Sequence, residues 1–274
     1  MANVSDAIYS DPSHESWSIE AGPDRVLLIP GFMGTPREMR PLGEALAVAG
    51  ISARSIVLPG FGPEIGRLRT VRADEWLDRA RCAWNETRAG SGRRILLGFS
   101  MGGAVSILLA AEAPPDVLIL LAPHWRFAER LAVALPLARY VVPELRPFVR
   151  ADFAKPDIRR AFEAMAPGAD LDDPAVQASL IRQATLPSAA LDELRRLGAR
   201  AGANACRVRC RTVILQGAHD TTSLPANTRR LAVRLGGPLD MHEFPGGHHL
   251  VEPAHPSWET IKGFVLRYAL GAGA

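Results

Sequence analysis

The sequence predicts an α/β fold with a mostly parallel central sheet, helices on both faces and an inserted helical cap. Three observations carry this expectation. Short continuous apolar runs alternate with segments of helical period, the pattern of a parallel sheet buried on both faces by its crossover helices. The alternation stops between His124 and about Arg209, where prolines punctuate the chain, and then resumes. The 274 residues, 47% hydrophobic and 22% charged, lie at the upper edge of what one hydrophobic core supports.

Val26-Leu27-Leu28-Ile29 is the first clear strand and ends at Pro30-Gly31. Met39, Leu42, Leu46 and Ala49 then recur at three- and four-residue steps, which predicts a helix over residues 36–49, stopped by Gly50. Residues 51–58 read as a second strand, closed by Pro59-Gly60. Trp76, Leu77, Ala80 and Trp84 share one face of a helix over residues 73–89. Residues 94–99 form the third strand, and a small-residue helix over 101–113 must start directly after it. Residues 117–122 and 212–216 are the fourth and fifth strands. A helix over 223–235, a short strand over 241–244 and an amphipathic helix over 255–270 complete the chain.

Pro136, Pro143, Pro147, Pro156, Pro167, Pro174 and Pro187 divide the interrupted stretch into helical segments without a convincing strand. A structureless loop of that length is implausible in a compact domain, and proline favours the first turn of a helix. The expected organisation is a core domain from residues 1–123 and 210–274, with residues 124–209 inserted as a helical cap, or lid.

The formal charge is only +3, from 32 basic and 29 acidic residues. Lys155 and Lys262 are the only lysines, and most of the arginines are interleaved with acidic or apolar residues. Without a concentrated basic stripe, nucleic acid is not an expected partner. Cys82, Cys206 and Cys210 are too few for a disulfide framework, and Cys206 and Cys210 lack zinc-knuckle spacing, so reduced thiols in a cytoplasmic protein are expected. The first twenty residues have no positive n-region and no apolar h-region, so no signal peptide is expected. No apolar run approaches the roughly 18 to 20 residues of a transmembrane segment.

The sharpest local signal is Gly98-Phe99-Ser100-Met101-Gly102-Gly103, between a predicted strand and a predicted helix. A serine on such a turn is forced into a strained conformation that projects its hydroxyl out of the sheet, and side chains two residues either side would collide with neighbouring backbone. Ser100 is therefore the candidate nucleophile. Met101 N–H, at the helix N-terminus, is a candidate oxyanion donor. Serine needs a base, and Pro245-Gly246-Gly247-His248-His249 follows the last short strand, where a loop can reach back over the sheet edge. His248 is preferred to His249, since adjacent residues in a turn point different ways; His242, His249 and His255 suit surface or capping roles, and His14 lies in the N-terminal tail.

The base needs an orienting acid, and Asp220 in Gly217-Ala218-His219-Asp220 lies just past the fifth strand, where sites collect in open α/β sheets. Asp116, Asp192 and Asp240 are its rivals, although Asp116 and Asp240 precede their strands and so sit at the wrong sheet edge. A second oxyanion donor is expected after the first clear strand, in Pro30-Gly31-Phe32-Met33-Gly34, with Phe32 N–H as the candidate. No H-E-x-x-H helix, phosphate-binding G-x-x-x-x-G-K-[ST] loop or G-x-G-x-x-G turn is present, so neither metal nor nucleotide cofactor is expected.

These segments, Leu27 to Gly34, Gly98 to Gly103, Gly217 to Asp220 and Gly247-His248, resemble the bacterial carboxylesterase and monoacylglycerol lipase branch of the α/β-hydrolase superfamily. The resemblance extends from about Val26 to Tyr268, and Pro30 departs from it, because the family usually carries a histidine there. It implies a cofactor-free serine hydrolase that cleaves small-molecule carboxylic esters, short- to medium-chain acyl esters or monoacylglycerols, through Ser100, His248 and Asp220. Thioester, lactone or C–C bond hydrolysis, acyl transfer and a non-catalytic receptor are the alternatives, since they differ in the pocket and not in the motif. Phe32, Met33 and Trp125, with Phe127 and Leu131, are the expected acyl-pocket residues, and Arg126 or Arg130 would suit an anionic substrate. Each of the apolar ones can equally belong to the core.

Overall fold

Along the central strands, successive apolar side chains fill two cores on opposite faces of one sheet. The computed structural model describes residue 9 and residues 11–127, 134–137, 140–146, 149, 151–155, 158–159, 162, 170–183 and 185–271. In chain order the elements are β1 (Trp17–Ile19), β2 (Arg25–Ile29), α1 (Pro36–Val48), β3 (Ser52–Ser55), α2 (Ala73–Arg88), β4 (Arg94–Phe99), α3 (Met101–Glu112) and β5 (Val117–Leu121). They continue with β6 (Glu144–Leu145), α4 (Pro174–Gln183), β7 (Leu186–Pro187), α5 (Ser188–Asn204), β8 (Arg211–Gly217), α6 (Pro225–Ala232), β9 (Leu239–Phe244) and α7 (Trp258–Ala269).

Seven strands form the main sheet in the order β1-β3-β2-β4-β5-β8-β9. Only β1 runs antiparallel to its neighbour. Leu27 and Ile29 face α2, α3 and α5 with Leu96, Leu118, Leu120 and Ile214, while Val26 and Leu28 face α1 and α7 with Ile95, Leu97, Ile119 and Val213. This two-residue alternation between two buried faces explains why the strands read as unbroken apolar runs. The chain crosses from β2 to β3 through α1 on one face, and from β4 to β5 through α3 on the other. Opposite directions with helices on opposite faces are what a single hand of crossover requires. The C-terminal ends of β2 and β4 therefore flank a topological switch point, where the loops diverge and leave a crevice.

Several boundaries differ from the sequence expectation for physical reasons. The second apolar run leaves the sheet after Ser55, whose hydroxyl donates to the Leu28 carbonyl at 2.9 Å, and buries Ile56 and Leu58 as loop residues in the core beneath α2. The helix expected over 223–235 contracts to α6, because the Ser223 amide donates to Asp220 and Pro225 starts the helix. β9 begins earlier than its apolar residues suggest, since Asp240 on this edge strand pairs with Arg211. β1 was invisible as three residues, yet Trp17 anchors it by donating to the Pro36 carbonyl at 2.8 Å. His14 is buried against Thr35 at 2.9 Å and is not part of a loose tail.

The proline-rich stretch divides in two. Phe153, Phe162, Leu171 and Leu180 make a small core of their own, and β6 pairs antiparallel with β7. α5, although it lies within residues 124–209, packs its Ala190, Leu194, Leu197 and Ala201 into the main core beside α3. Glu193 on α5 accepts the Ala73 amide at 3.1 Å and pairs with Arg72, which ties α5 to the start of α2. Among the described residues, no helix is long and apolar enough to cross a membrane.

Trp84 on α2 is completely buried and donates to the Ala113 carbonyl at 2.8 Å, whereas Val48 is 91% exposed. Trp84→Ala is expected to destabilise the fold by about 3–5 kcal/mol, and Val48→Ala by less than about 0.5 kcal/mol. Urea unfolding midpoints measure both, and equal shifts would contradict this division of the core.

Candidate active site

Three loops at the C-terminal sheet edge bring the candidate residues together. Ser100 sits at φ 52° and ψ −116°, a left-handed backbone that costs a non-glycine residue of order 1–3 kcal/mol. Close packing holds it there. A Cβ on Gly98 would collide with the Gly102 carbonyl and Ser106 Oγ, and one on Gly102 with the Ile29 and Pro30 carbonyls. The Ser100 amide donates to the Leu121 carbonyl at 2.9 Å, and its own carbonyl accepts from Gly103 and His124 at 2.9 and 3.0 Å.

His248 arrives from the loop after β9. The His219 amide donates to the Gly246 carbonyl at 2.9 Å, which ties this loop to the one after β8. His248 Nε2 lies 2.9 Å from Ser100 Oγ, and Nδ1 lies 2.7 Å from Asp220 Oδ2. In the neutral tautomer that fits both contacts, Nδ1–H donates to the carboxylate and Nε2 accepts from the serine hydroxyl. The Phe99 ring backs the imidazole at a centroid distance of 5.1 Å.

Asp220 is held from every side. Oδ1 accepts the Thr222 and Ser223 amides at 2.8 Å each, and Oδ2 also accepts Gln216 Nε2 at 3.1 Å. Thr228 Oγ1 in turn donates to Gln216 Oε1 at 2.7 Å. Burial by itself would raise the Asp220 carboxyl, but the His248 hydrogen bond and charge, with the two amides, hold it below its ordinary value. It stays ionised to orient the ring. Its rivals are occupied elsewhere: Asp116 with Arg94, Asp240 with Arg211 and Asp192 with Arg195.

The Gly31 loop after β2 lies against Ser100, so that a Cβ on Gly31 would stand 3.5 Å from Ser100 Cβ. Phe32 packs edge-on against Phe61 and Trp76, with centroids at 5.6 and 6.1 Å, and Met33 takes φ 60°. Among the described residues, neither the Phe32 nor the Met101 amide donates a hydrogen bond. Met101 follows Ser100 in the chain, and Phe32 follows Gly31, which faces Ser100 across the switch point.

Trp125 is elsewhere. Its indole lies against Gly202 of α5, donates to the Asn227 carbonyl at 2.8 Å and is flanked by the guanidinium groups of Arg126 and Arg234. It pins α5 to α6, and Arg126 is engaged with it. Phe127 packs on His124 at 4.6 Å, and Leu131 and Arg130 lie outside the described residues. His242 contacts Tyr268 Oη at 3.1 Å, His249 pairs with Glu252 at 3.2 Å, and His255 Nδ1 accepts the Ser257 amide at 3.1 Å. Among the described residues, no three His, Cys, Asp or Glu side chains converge as metal ligands.

Two groups beside the site escaped the sequence reading. Glu38, in the first turn of α1, accepts the Gly31 amide at 2.7 Å. His124, 3% exposed, has an Nε2 without a partner among the described residues. Its position directly after the fourth apolar run, next to Pro123, was the one available signal.

A strained serine at a strand-to-helix turn, a histidine and an aspartate after later strands, and a parallel sheet with this strand order define an α/β hydrolase. The family model for serine aminopeptidase, S33, matches residues 23–252, and the chain belongs to that family. It is 34% identical over 103 residues to the thermostable monoacylglycerol lipase of Bacillus sp. (strain H-257), a match covering 38% of this chain and 41% of that relative's length. One of the metagenome-derived lipolytic enzymes LipS and LipT superposes with a TM-score of 0.75 at 21% identity, over 95% of this chain and 98% of that one. The monoacylglycerol lipase of Paleococcus ferrophilus gives 0.70 at 18% identity, over 94% and 99%. At such identities the structures share the fold.

Burial lowers His124 from 6.5 to about 4, with the nearby His248 acting in the same direction. A histidine depressed on folding contributes stability that is present above about pH 6.5 and lost as the pH falls toward about 4. His124→Phe is expected to lose less stability across that window than the parent, as measured by urea midpoints in a pH series. Parallel pH curves would contradict this assignment.

Proposed function

We propose that the protein is a serine hydrolase of carboxylic esters, acting on short- to medium-chain acyl esters or monoacylglycerols. The observation that carries this reading is the unbroken hydrogen-bond chain from Ser100 Oγ through His248 to Asp220 Oδ2, on a strained turn. Ser100 Oγ attacks the ester carbonyl carbon as its proton passes to His248 Nε2, and the carbonyl oxygen takes the negative charge. Phe32 and Met101 N–H donate to that oxygen, with the N-terminus of α3 behind the second. Collapse of the intermediate breaks the bond to the alcohol oxygen, which receives the proton from His248, and leaves an acyl-serine. Water repeats the cycle and releases the acid.

The similarity to a monoacylglycerol lipase over part of the chain supports an acylglycerol or related lipid ester as the substrate class. Phe32 and Met33, beside Ser100, are the acyl-contacting residues in this reading, and residues of the 124–209 segment ahead of α5 roof the pocket. The free thiols of Cys82, Cys206 and Cys210 fit a cytoplasmic location.

The test is a panel of p-nitrophenyl esters of increasing chain length and matching monoacylglycerols, with aminoacyl p-nitroanilides as the peptide-bond arm. Ester turnover that falls by roughly 10⁴- to 10⁶-fold in Ser100→Ala is expected. No ester turnover by the parent, turnover of anilides alone, or undiminished turnover in Ser100→Ala would overturn the reading.

A further inference from the structure

Phe32 N–H can stabilise an oxyanion only if the peptide plane between Gly31 and Phe32 is fixed. That plane is set by the backbone of a glycine, the residue least able to fix it alone. The tight turn of residues 31–34 closes with the Gly34 amide donating to the Gly31 carbonyl at 3.1 Å. Pro30 precedes it and has no N–H, so Gly31 N–H is the first donor of the loop.

One side chain meets both ends of this turn. Glu38 Oε1 accepts Gly31 N–H at 2.7 Å, and both carboxylate oxygens occupy the space that a Cβ on Gly34 would need. Glu38 is itself well anchored. Its amide donates to the Thr35 carbonyl at 3.1 Å, and Met39, Leu42 and Leu46 bury the helix that carries it. The N-terminal turn of a helix favours a carboxylate there. The charges of His249 and Glu252, from the loop that carries His248, also act on Glu38, so one group senses both loops of the site. Burial pushes the Glu38 carboxyl up to about 7, as expected for a group placed by geometry at some cost in solvation.

We propose that Glu38 is a positioning residue for the oxyanion hole: its hydrogen bond to Gly31 and its contact with Gly34 aim Phe32 N–H at the acyl oxygen in the transition state. The proposal rests on the reading of Ser100 as nucleophile and Phe32 N–H as donor. Glu38 touches neither substrate nor reacting atoms. Its loss acts on the tetrahedral state, where the charge develops, and spares ground-state ester binding.

Glu38→Ala, Glu38→Gln and Glu38→Asp, measured with the best ester of the panel, separate positioning from general structural support. Glu38→Ala is expected to lower kcat by about 10- to 100-fold with KM within about twofold. Glu38→Gln keeps an acceptor oxygen at the same reach and is expected to recover most of kcat, whereas Glu38→Asp keeps the charge, loses the reach and stays low. Affinity for a trifluoromethyl ketone, which forms a tetrahedral adduct, should fall in step with kcat, while inhibition by the product acid stays constant. If Glu38→Ala does not fold, the Gln and Asp pair carries the same comparison. Unchanged kcat in Glu38→Ala or Glu38→Asp, or a Gln variant no better than Asp, would overturn the proposal with the esterase reading intact. Absent ester turnover in the parent, or turnover independent of Ser100, would overturn both.

Discussion

The backbone at Ser100 is the constraint on which the rest of the site depends. A left-handed serine is held only because α3 lies so close to β2 and β4 that Gly98 and Gly102 have no room for side chains. The burial of α3 from Met101 to Ala110 offsets that strain many times over. The same closeness brings the loop after β2 against Ser100 Cβ, so one packing contact sets Ser100 and the neighbouring loop at once. Loosening it would move every distance in the site.

Around that contact the sheet divides its labour by edge. The C-terminal ends of β2, β4, β8 and β9 carry the Gly31 loop, Ser100, Asp220 and His248, and hydrogen bonds between the last two loops keep the imidazole at working distance from both partners. The opposite edge is given over to surface ion pairing, as in Arg94 with Asp116. Asp220 accepts from three hydrogen-bond donors besides His248, so its orientation does not depend on His248. A ring held by such an acid is prepared before substrate arrives, which is what a preorganised site requires.

Much of this was legible in the sequence because the relevant signals are local. Apolar runs buried on both faces, helical spacing of Met39, Leu42 and Leu46, and glycines flanking Ser100 each report a short-range demand. The chain order of serine, aspartate and histidine located three loops on one edge, and the structure brings His248 within hydrogen-bond reach of both Ser100 and Asp220. What was not legible depends on long-range packing. The contacts of Trp125 with Gly202, Asn227 and Arg234, all distant in sequence, are one such case. α5 follows the same proline-rich stretch as α4, and only its contacts with α3 and the Ala73 amide assign it to the main core. Glu38 reads as an ordinary acidic residue at a helix start, because its partner is a backbone amide seven residues earlier.

In the proposed reading, the geometry at Ser100 makes this one hydroxyl a nucleophile. Labelling with a fluorophosphonate, followed by mass mapping of the peptides, tests it most directly. One adduct per chain is expected, on Ser100, formed much more slowly in His248→Ala. An adduct on another serine, or none from an enzyme that turns over esters, would contradict it.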